Sequence, residues 1–575
     1  MSRAAVAVAL ALCLTALAPA VAPAGASPSA SPTAPPTASL TASGESGVSP
    51  SASTATDGPG PRIVSLLPNP VAPDDAGEYV RVRLPAGNWT VTDGESSVRI
   101  HQRQQGAVVV TADADALVDP PPGRVADGGL SLSNAGERVA LRRGGPDGPV
   151  VDAVRYGRAP EGQRWVRDAD PPWRPVGLDP REPVPLGSAS ATAFVLPDAP
   201  GPAIEPIQSA EDRILLAGYT FASERVTEEL IAAHRRDVNV RVLLDGDPVG
   251  GVTTRQARLL DRLVAAGIEV RVVTGAHARV RYHHAKYAVA DDTAVVLTEN
   301  WKPSGTGGAD NRGWGVALES ARAAAALAEL FRSDAGWIDA IAWNDVRTDG
   351  SFTPAEPAEG TYPEEHPPST VRAERATLLT APGNAESGVV AAIDDADERV
   401  DVLQPTVASG PMLSALRRAA ERGATVRLLV SNAWYVAEEN AALVERLNDW
   451  ADRAGVPLEA RVADPGGRFG AVHAKGVVAD DTAVVGSLNW NPTSARENRE
   501  VAVALEGEAV AGYYRESFGA DWRERGSGNG LVGETGVPPA LAVAAVGSAA
   551  GAVLYARRRI AFGDPGSGDD RGPIG

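Results

Sequence analysis

His284-Ala285-Lys286 and His473-Ala474-Lys475 open two eighteen-residue segments, ending at Trp301 and Trp490, that match at thirteen positions without a gap. A repeat kept only for packing would hold its apolar positions and let the polar ones drift, yet His, Lys, Asp and Asn are the retained set. In an extended strand residues i and i+2 share a face, so each His points the same way as its Lys. If both copies reach one cleft, two imidazoles, two ammonium groups and the amides of Asn300 and Asn489 form a donor-rich pocket suited to a phosphate. The background sharpens this reading, because only Lys286, Lys302 and Lys475 are Lys among the 54 basic residues. Two of three survivors at equivalent positions point to a need for a compact ammonium.

The elements that position these groups must come from more than one domain, since 575 residues with 43% hydrophobic content exceed a single core. A net charge of -19 argues against a broadly basic surface that grips nucleic acid. Cys13 is the single cysteine and lies in an N-terminal apolar run, which leaves the mature chain no disulfide, cysteine-based metal site or thiol nucleophile.

Residues 1–26 have the charged, apolar and small-residue parts of a secretory signal peptide, and 27–61 read as a Ser/Thr/Pro-rich linker. Residues 62–165 show short alternating segments between Gly, Pro and Asp turns, the pattern of an all-β sandwich. Strand and helix patterns then alternate in the same order twice, giving α/β lobes over 192–345 and 371–525 joined by a linker at 346–370. Residues 537–556 carry no charge, and at 1.5 Å rise they reach across a hydrocarbon core of roughly 30 Å. Arg557, Arg558 and Arg559 follow, so the positive-inside rule puts the tail 557–575 in the cytoplasm and the remainder outside a cell membrane crossed once. The expected fold class is therefore multidomain: an immunoglobulin-like all-β sandwich, a duplicated α/β pair and a C-terminal transmembrane helix.

Two resemblances bear on function. Glu78-Tyr79-Val80, Trp89 before Asp93-Gly94, Leu130 to Asn134 with Gly136-Glu137, and Tyr156-Gly157 together resemble the lamin-tail domain, an immunoglobulin-like module with a binding or spacing role. The duplicated His-x-Lys-x4-Asp with Gly486-Ser487 and Asn489 resembles the phospholipase D superfamily, over roughly Phe194 to Trp522. That second resemblance implies one active site between the halves and a covalent phosphohistidine. By the family's usual order His284 is the nucleophile and His473 the general acid and base, although the labels are exchangeable on sequence alone. Lys286 and Lys475 would neutralise phosphate oxygens, with Asn300, Asn489, Thr298 and Ser487 adding hydrogen bonds. Asp291 and Asp480 would brace the motif, and neither a metal nor another cofactor is required.

The first copy departs from this pattern twice. Leu297-Thr298 stands where the second has Gly486-Ser487, and Gly313 stands where Glu500 would fix the tautomer of a catalytic His. Asp310 is the expected substitute, the alternative being that His284 goes unsupported. His283 is expected as a surface or packing residue, His101, His234, His277 and His366 as exposed, and Lys302 as exposed. The implied function is a membrane-anchored phosphodiesterase acting on a phospholipid by hydrolysis or transfer. A metal-independent nuclease and a non-catalytic surface-binding protein are the alternatives, and any protein partner is unspecified.

Overall fold

The computed structural model describes residues 60–523 apart from 170–171, 179–180, 308–309, 348–351 and 355–360. The expected signal peptide, nearly all of the 27–61 linker, the 537–556 span and the 557–575 tail lie outside the described residues. Among the described residues no helix is long and apolar enough to cross a membrane.

The N-terminal domain is a two-sheet sandwich. Its four-stranded sheet runs Ser97–Gln102, Gly87–Thr92, Arg138–Arg143, Val150–Arg155, against a six-stranded sheet centred on Arg62–Leu67 and Tyr79–Leu84. Ile63, Val80, Val82, Trp89, Val91 and Leu141 from both sheets are buried between them, as alternation requires of strands with one solvated face. The six-stranded sheet continues through Gln163–Val166 to Trp173–Pro175, so the domain runs past the boundary expected at 165. Trp173–Pro175 is three residues long and contains Pro, too little for a period-2 signal.

Both lobes share one fifteen-stranded sheet. Its centre is the antiparallel pair Val184–Leu196 and Ser369–Ala381, and each lobe extends outward from there in the same order. In the first lobe Gly313–Glu319, Thr293–Leu297, Tyr287–Ala290, Arg213–Gly218, Asn239–Asp245 and Glu269–Val273 follow in sequence. Glu500–Glu506, Thr482–Gly486, Gly476–Ala479, Arg399–Gln404, Thr425–Val430 and Leu458–Val462 mirror them in the second. The first lobe thus begins at Val184 instead of 192, its opening strand masked in sequence by Pro185, Gly187 and two bulges against the partner strand.

Helices cover both faces, and their starts follow local chemistry. Ser223, Thr253 and Ser320 cap Glu224–His234, Thr254–Ala265 and Ala321–Ala335 by accepting a backbone N–H three residues on. Arg213–Gly218, Asn239–Asp245 and Glu269–Val273 are parallel, as are Arg399–Gln404, Thr425–Val430 and Leu458–Val462, and Ala340–Ala342 adds an antiparallel fifteenth strand at the first lobe's outer edge. The carboxyl ends of the parallel strands face the cleft between the lobes, the usual ligand side of such a sheet. The strands opened by the two Lys residues run antiparallel to these, with Ala217 opposite Tyr287 and Leu403 opposite Gly476. That register delivers both His-Ala-Lys segments to the same sheet edge.

Candidate active site

Each His-Ala-Lys segment is extended and sits just ahead of its strand, Tyr287–Ala290 or Gly476–Ala479. Ala285 and Ala474 point into the core, so the flanking His and Lys take the other side, as period-2 alternation requires. Each segment is held by the opposite lobe. The His284 N–H donates to Arg499 O at 3.0 Å and the Arg499 N–H to Tyr282 O at 2.9 Å. In the same way the His473 N–H donates to Arg312 O at 3.0 Å and the Arg312 N–H to Ala471 O at 2.8 Å.

The side chains of those two arginines lock the arrangement. Arg499 makes a bidentate pair with Asp334 at 2.8 and 2.9 Å, and Arg312 pairs with Asp521 at 2.9 Å and Asp198 at 2.5 Å. All five side chains are buried. Asp334 and Asp521 occupy equivalent places on the helices Ala321–Ala335 and Glu508–Trp522, so two ion pairs related by the repeat cross the cleft in opposite senses. Sequence reading missed them because their partners are 165 and 209 residues apart.

The imidazoles of the two segments are also supported across the cleft. Nδ1 of His284 lies 2.9 and 3.0 Å from the two oxygens of Glu500, which places its proton there and leaves Nε2 free. Glu500 is fully buried and receives further hydrogen bonds from Ser487 Oγ at 2.5 Å, Asn498 Nδ2 at 3.1 Å and Ser494 Oγ. His284 is therefore not the unsupported histidine, and Asp310 is not the missing carboxylate. Nδ1 of His473 lies 2.8 Å from Oε1 of Glu299, off the line of the N–H bond, and Glu299 also accepts from Ser304 Oγ at 3.3 Å.

Glu299 corrects the expectation because it reaches the right place from a different position. A Cβ on Gly313 would stand 2.6 Å from Glu299 Cγ, so the glycine vacates the space that Glu299 uses. In the second copy the same exchange runs the other way, with Glu500 on the strand and Leu488 beside Asn489. The Leu297 departure is compensated similarly. Leu297 pairs with Gly315 where Gly486 pairs with Ala502, and a Cβ on Gly315 would come within 2.9 Å of Leu297 Cδ2. In each pair one glycine makes room, on alternate strands.

The ammonium groups of Lys286 and Lys475 donate to His284 O at 2.5 Å and His473 O at 2.6 Å. Each keeps two protons for another acceptor, and neither has an ion pair among the described residues. Burial, the larger effect, pulls Lys475 down to about 8 and Lys286 well below its ordinary value, with Glu299 and Glu500 opposing. Burial likewise pulls both histidines from 6.5 to about 4, offset in part by Glu500 for His284 and by Glu299 for His473. Burial would raise Glu299, yet His473, Lys302 and Lys475 together hold it at about 2. An entering anion would relieve the ammonium groups and raise the imidazoles.

Asn300 is buried with Oδ1 unpartnered, and Asn489 is half-buried. The hydroxyls of Thr298 and Ser487 are fully buried and already engaged, Thr298 accepting from the Trp314 N–H at 2.8 Å and Ser487 from the Val501 N–H at 3.0 Å. They hold strands and Glu500 in register, in place of the phosphate contact expected of them. Asp291 and Asp480 each accept three backbone N–H groups, from Glu211, Asp212 and Arg213 and from Asp397, Glu398 and Arg399. They brace the hairpin turns from positive φ of 49° and 43°.

His283 is buried, with its backbone N–H donated to Asp245 at 2.5 Å and Nε2 3.5 Å from Asp334 Oδ2, which makes it a packing residue. His101 is exposed, whereas His234, His277 and His366 are half-buried. Tyr219 meets His284 edge to face at 4.8 Å and lies 5.4 Å from Lys286 Nζ, a contact that no motif foretold. Trp301 and Trp490 are core residues, and the indole N–H of Trp301 donates to Ala217 O at 2.8 Å.

Residues 203–335 and 389–522 match the family model described as "Cardiolipin synthase, PLD-like domain". The mitochondrial cardiolipin hydrolase of Xenopus laevis is 33% identical over 93 residues, which is 16% of this chain and 40% of that protein, so less than half the relative's length is spanned. Among solved structures, the phospholipase D family member Nuc from Salmonella typhimurium is 19% identical with a TM-score of 0.24, covering 28% of this chain and 98% of its own. Phosphatidylserine synthase from Haemophilus influenzae is 13% identical with a TM-score of 0.43, covering 58% and 86%. With a match on each side of a shared cleft and a His-x-Lys pair in each, residues 203–335 and 389–522 form two domains of the phospholipase D superfamily.

Proposed function

We propose that this chain is a membrane-anchored phospholipid phosphodiesterase acting through a phosphohistidine. The observation that carries this reading is the pair of buried ammonium groups without carboxylate partners, flanked by two imidazoles whose Nδ1 atoms face buried carboxylates. A buried, unpaired cation is costly, and a phosphodiester supplies the missing charge.

Nε2 of His284 attacks phosphorus and the bond to the leaving alcohol breaks as His473 gives that oxygen its proton. His473 then takes a proton from water, the hydroxide attacks phosphorus, and the phosphorus–nitrogen bond breaks. Lys286, Lys475, Asn300 and Asn489 hold the non-bridging oxygens, whose charge grows in each transition state. The five contacts around Glu500 favour His284 as the nucleophile, because a covalent partner gains most from a fixed ring.

Lipid is favoured over nucleic acid by the rim of the cleft. Trp434 and Tyr435 are 67% and 49% exposed, edge to face at 5.8 Å, on the loop after Thr425–Val430. Asn432 on the same loop donates to Gly470 O at 3.4 Å, three residues before His473, and Tyr435 feels the charge of Glu299 and Asp310. Glu438 and Glu439 follow directly, so a dense polyanion meets carboxylates there while a bilayer meets aromatic rings. The family description, the activity named for the Xenopus relative and the apolar stretch 537–556 support the same choice. The sandwich keeps a binding or spacing role.

The test is release of head group from phosphatidylglycerol vesicles by the full chain in chelator, with radiolabelled lipid to trap the intermediate. Label should stay on the His473→Ala protein and be absent from His284→Ala. Nicking of plasmid DNA with all lipids inert would overturn the lipid assignment in favour of the nuclease.

A further inference from the structure

The third lysine of the chain directly follows the first of the two repeated segments, although the superfamily pattern accounts only for the other two. Lys302 follows Asn300-Trp301, and its backbone N–H donates to Asn300 O at 2.8 Å. It is half-buried, with no hydrogen bond or ion pair of Nζ among the described residues. Trp301 before it is wholly buried in the core, and the charge of Lys302 bears on His473, Lys475, Lys286, Glu299 and Asp310, groups from both lobes.

The second copy shows what this position does when no cation is needed. Asn491 is the counterpart, and its side chain caps the helix Pro492–Arg496 by accepting the Ser494 N–H at 2.8 Å. In the first copy Lys302 occupies the same cap of Pro303–Thr306 and makes no side-chain cap bond. A preferred capping residue has been exchanged for a poor one, in a chain that otherwise uses Arg for nearly every cation. Local structure gives no reason for that exchange, but a ligand does.

We propose that Lys302 is a specificity-determining residue that binds a second acidic group of the substrate, beside the scissile phosphodiester. This rests on the phosphodiesterase reading above. Lys286 and Lys475 already serve the scissile phosphate, and Lys302 lies on the His473 side, where the leaving alcohol departs. The second acid therefore belongs to the leaving group: a head group with its own phosphodiester or carboxylate is drawn in, and one bearing only an ammonium is repelled.

The experiment compares phosphatidylglycerol with diphosphatidylglycerol, at equal mole fraction in neutral detergent micelles, for the wild type, Lys302→Met and Lys302→Arg. The wild type should favour the two-phosphate lipid about tenfold in kcat/KM, the scale of one well-placed charge contact. Lys302→Met should lose that preference through KM, and Lys302→Arg should keep most of it. Equal losses on both lipids, or no preference in the wild type, would overturn the assignment. Turnover surviving in His473→Ala would instead refute the phosphodiesterase reading, whatever Lys302 does. A Lys302-dependent preference for pTpT over TpT, with lipids inert, would overturn the lipid class.

Discussion

Glu500 belongs to the second lobe, yet it grips Nδ1 of His284 in the first at 2.9 Å. Glu299 of the first lobe faces His473 of the second at 2.8 Å. Each histidine thus depends on the other half for its tautomer and orientation. Glu500→Gln keeps the size and removes the charge that stabilises the imidazolium, so kcat should fall by about 10²–10⁴ while the melting temperature stays within a few degrees. Steady-state rates paired with calorimetry check this, and a loss below threefold would contradict it.

The two glycine exchanges make a stricter test. Gly313→Ala puts a methyl 2.6 Å from Glu299 Cγ, which must push the carboxylate off His473. Activity should drop roughly 10–100-fold, the cost of a displaced orienting group. Transplanting the second copy's arrangement with Gly313→Glu and Glu299→Leu together should recover much of that loss, whereas Glu299→Leu alone should not. No recovery would mean that the positions are not interchangeable.

Stability should depend on pH through the same residues. Both histidines have folded values near 4 against 6.5 in the unfolded chain. Between those limits the unfolded chain binds protons that the folded one refuses, so the histidines' contribution to stability is full above pH 6.5 and is lost as pH falls. The slope approaches about 1.4 kcal/mol per pH unit for each histidine. Glu299, held at about 2, adds a further loss between pH 4.5 and 2. Thermal melts from pH 7.5 to 4.5 should show the decline, and a His284→Ala/His473→Ala double variant should flatten it. Vanadate at neutral pH should raise the melting temperature of the wild type by supplying the missing anion.

The crossed arginine pairs predict a large effect far from the chemistry. Asp334→Asn leaves Arg499 buried with a weakened partner, and the loss should be about 3–5 kcal/mol in urea unfolding. Asp198→Asn should cost less, because Arg312 retains Asp521 at 2.9 Å. Equal losses would show that the pairs do not divide the load in this way.

What was legible in sequence was whatever repeats locally. The strand and helix order of both lobes and the His-x-Lys pairs follow from period, capping and duplication, whereas the bracing role of Asp291 and Asp480 was implied by the family resemblance. Glu299 was hidden because it serves the role from the position aligned with Leu488, so aligning the copies pointed to Gly313 and then to Asp310. The crossing of Glu500 to His284 was equally invisible, since register along one chain says nothing about which half supplies the partner. Lys302 was expected to be exposed because Asn491 stands at its position in the second copy; it is half-buried instead, its backbone N–H donated to Asn300 O at 2.8 Å.

The central strands Val184–Leu196 and Ser369–Ala381 join both halves into one sheet on one polypeptide. A symmetric dimer would have to use one gene for both sides and give its two histidines the same surroundings. Here each side is written separately, so the donor and acceptor of the proton can drift apart in acidity and in neighbours without either being copied onto the other.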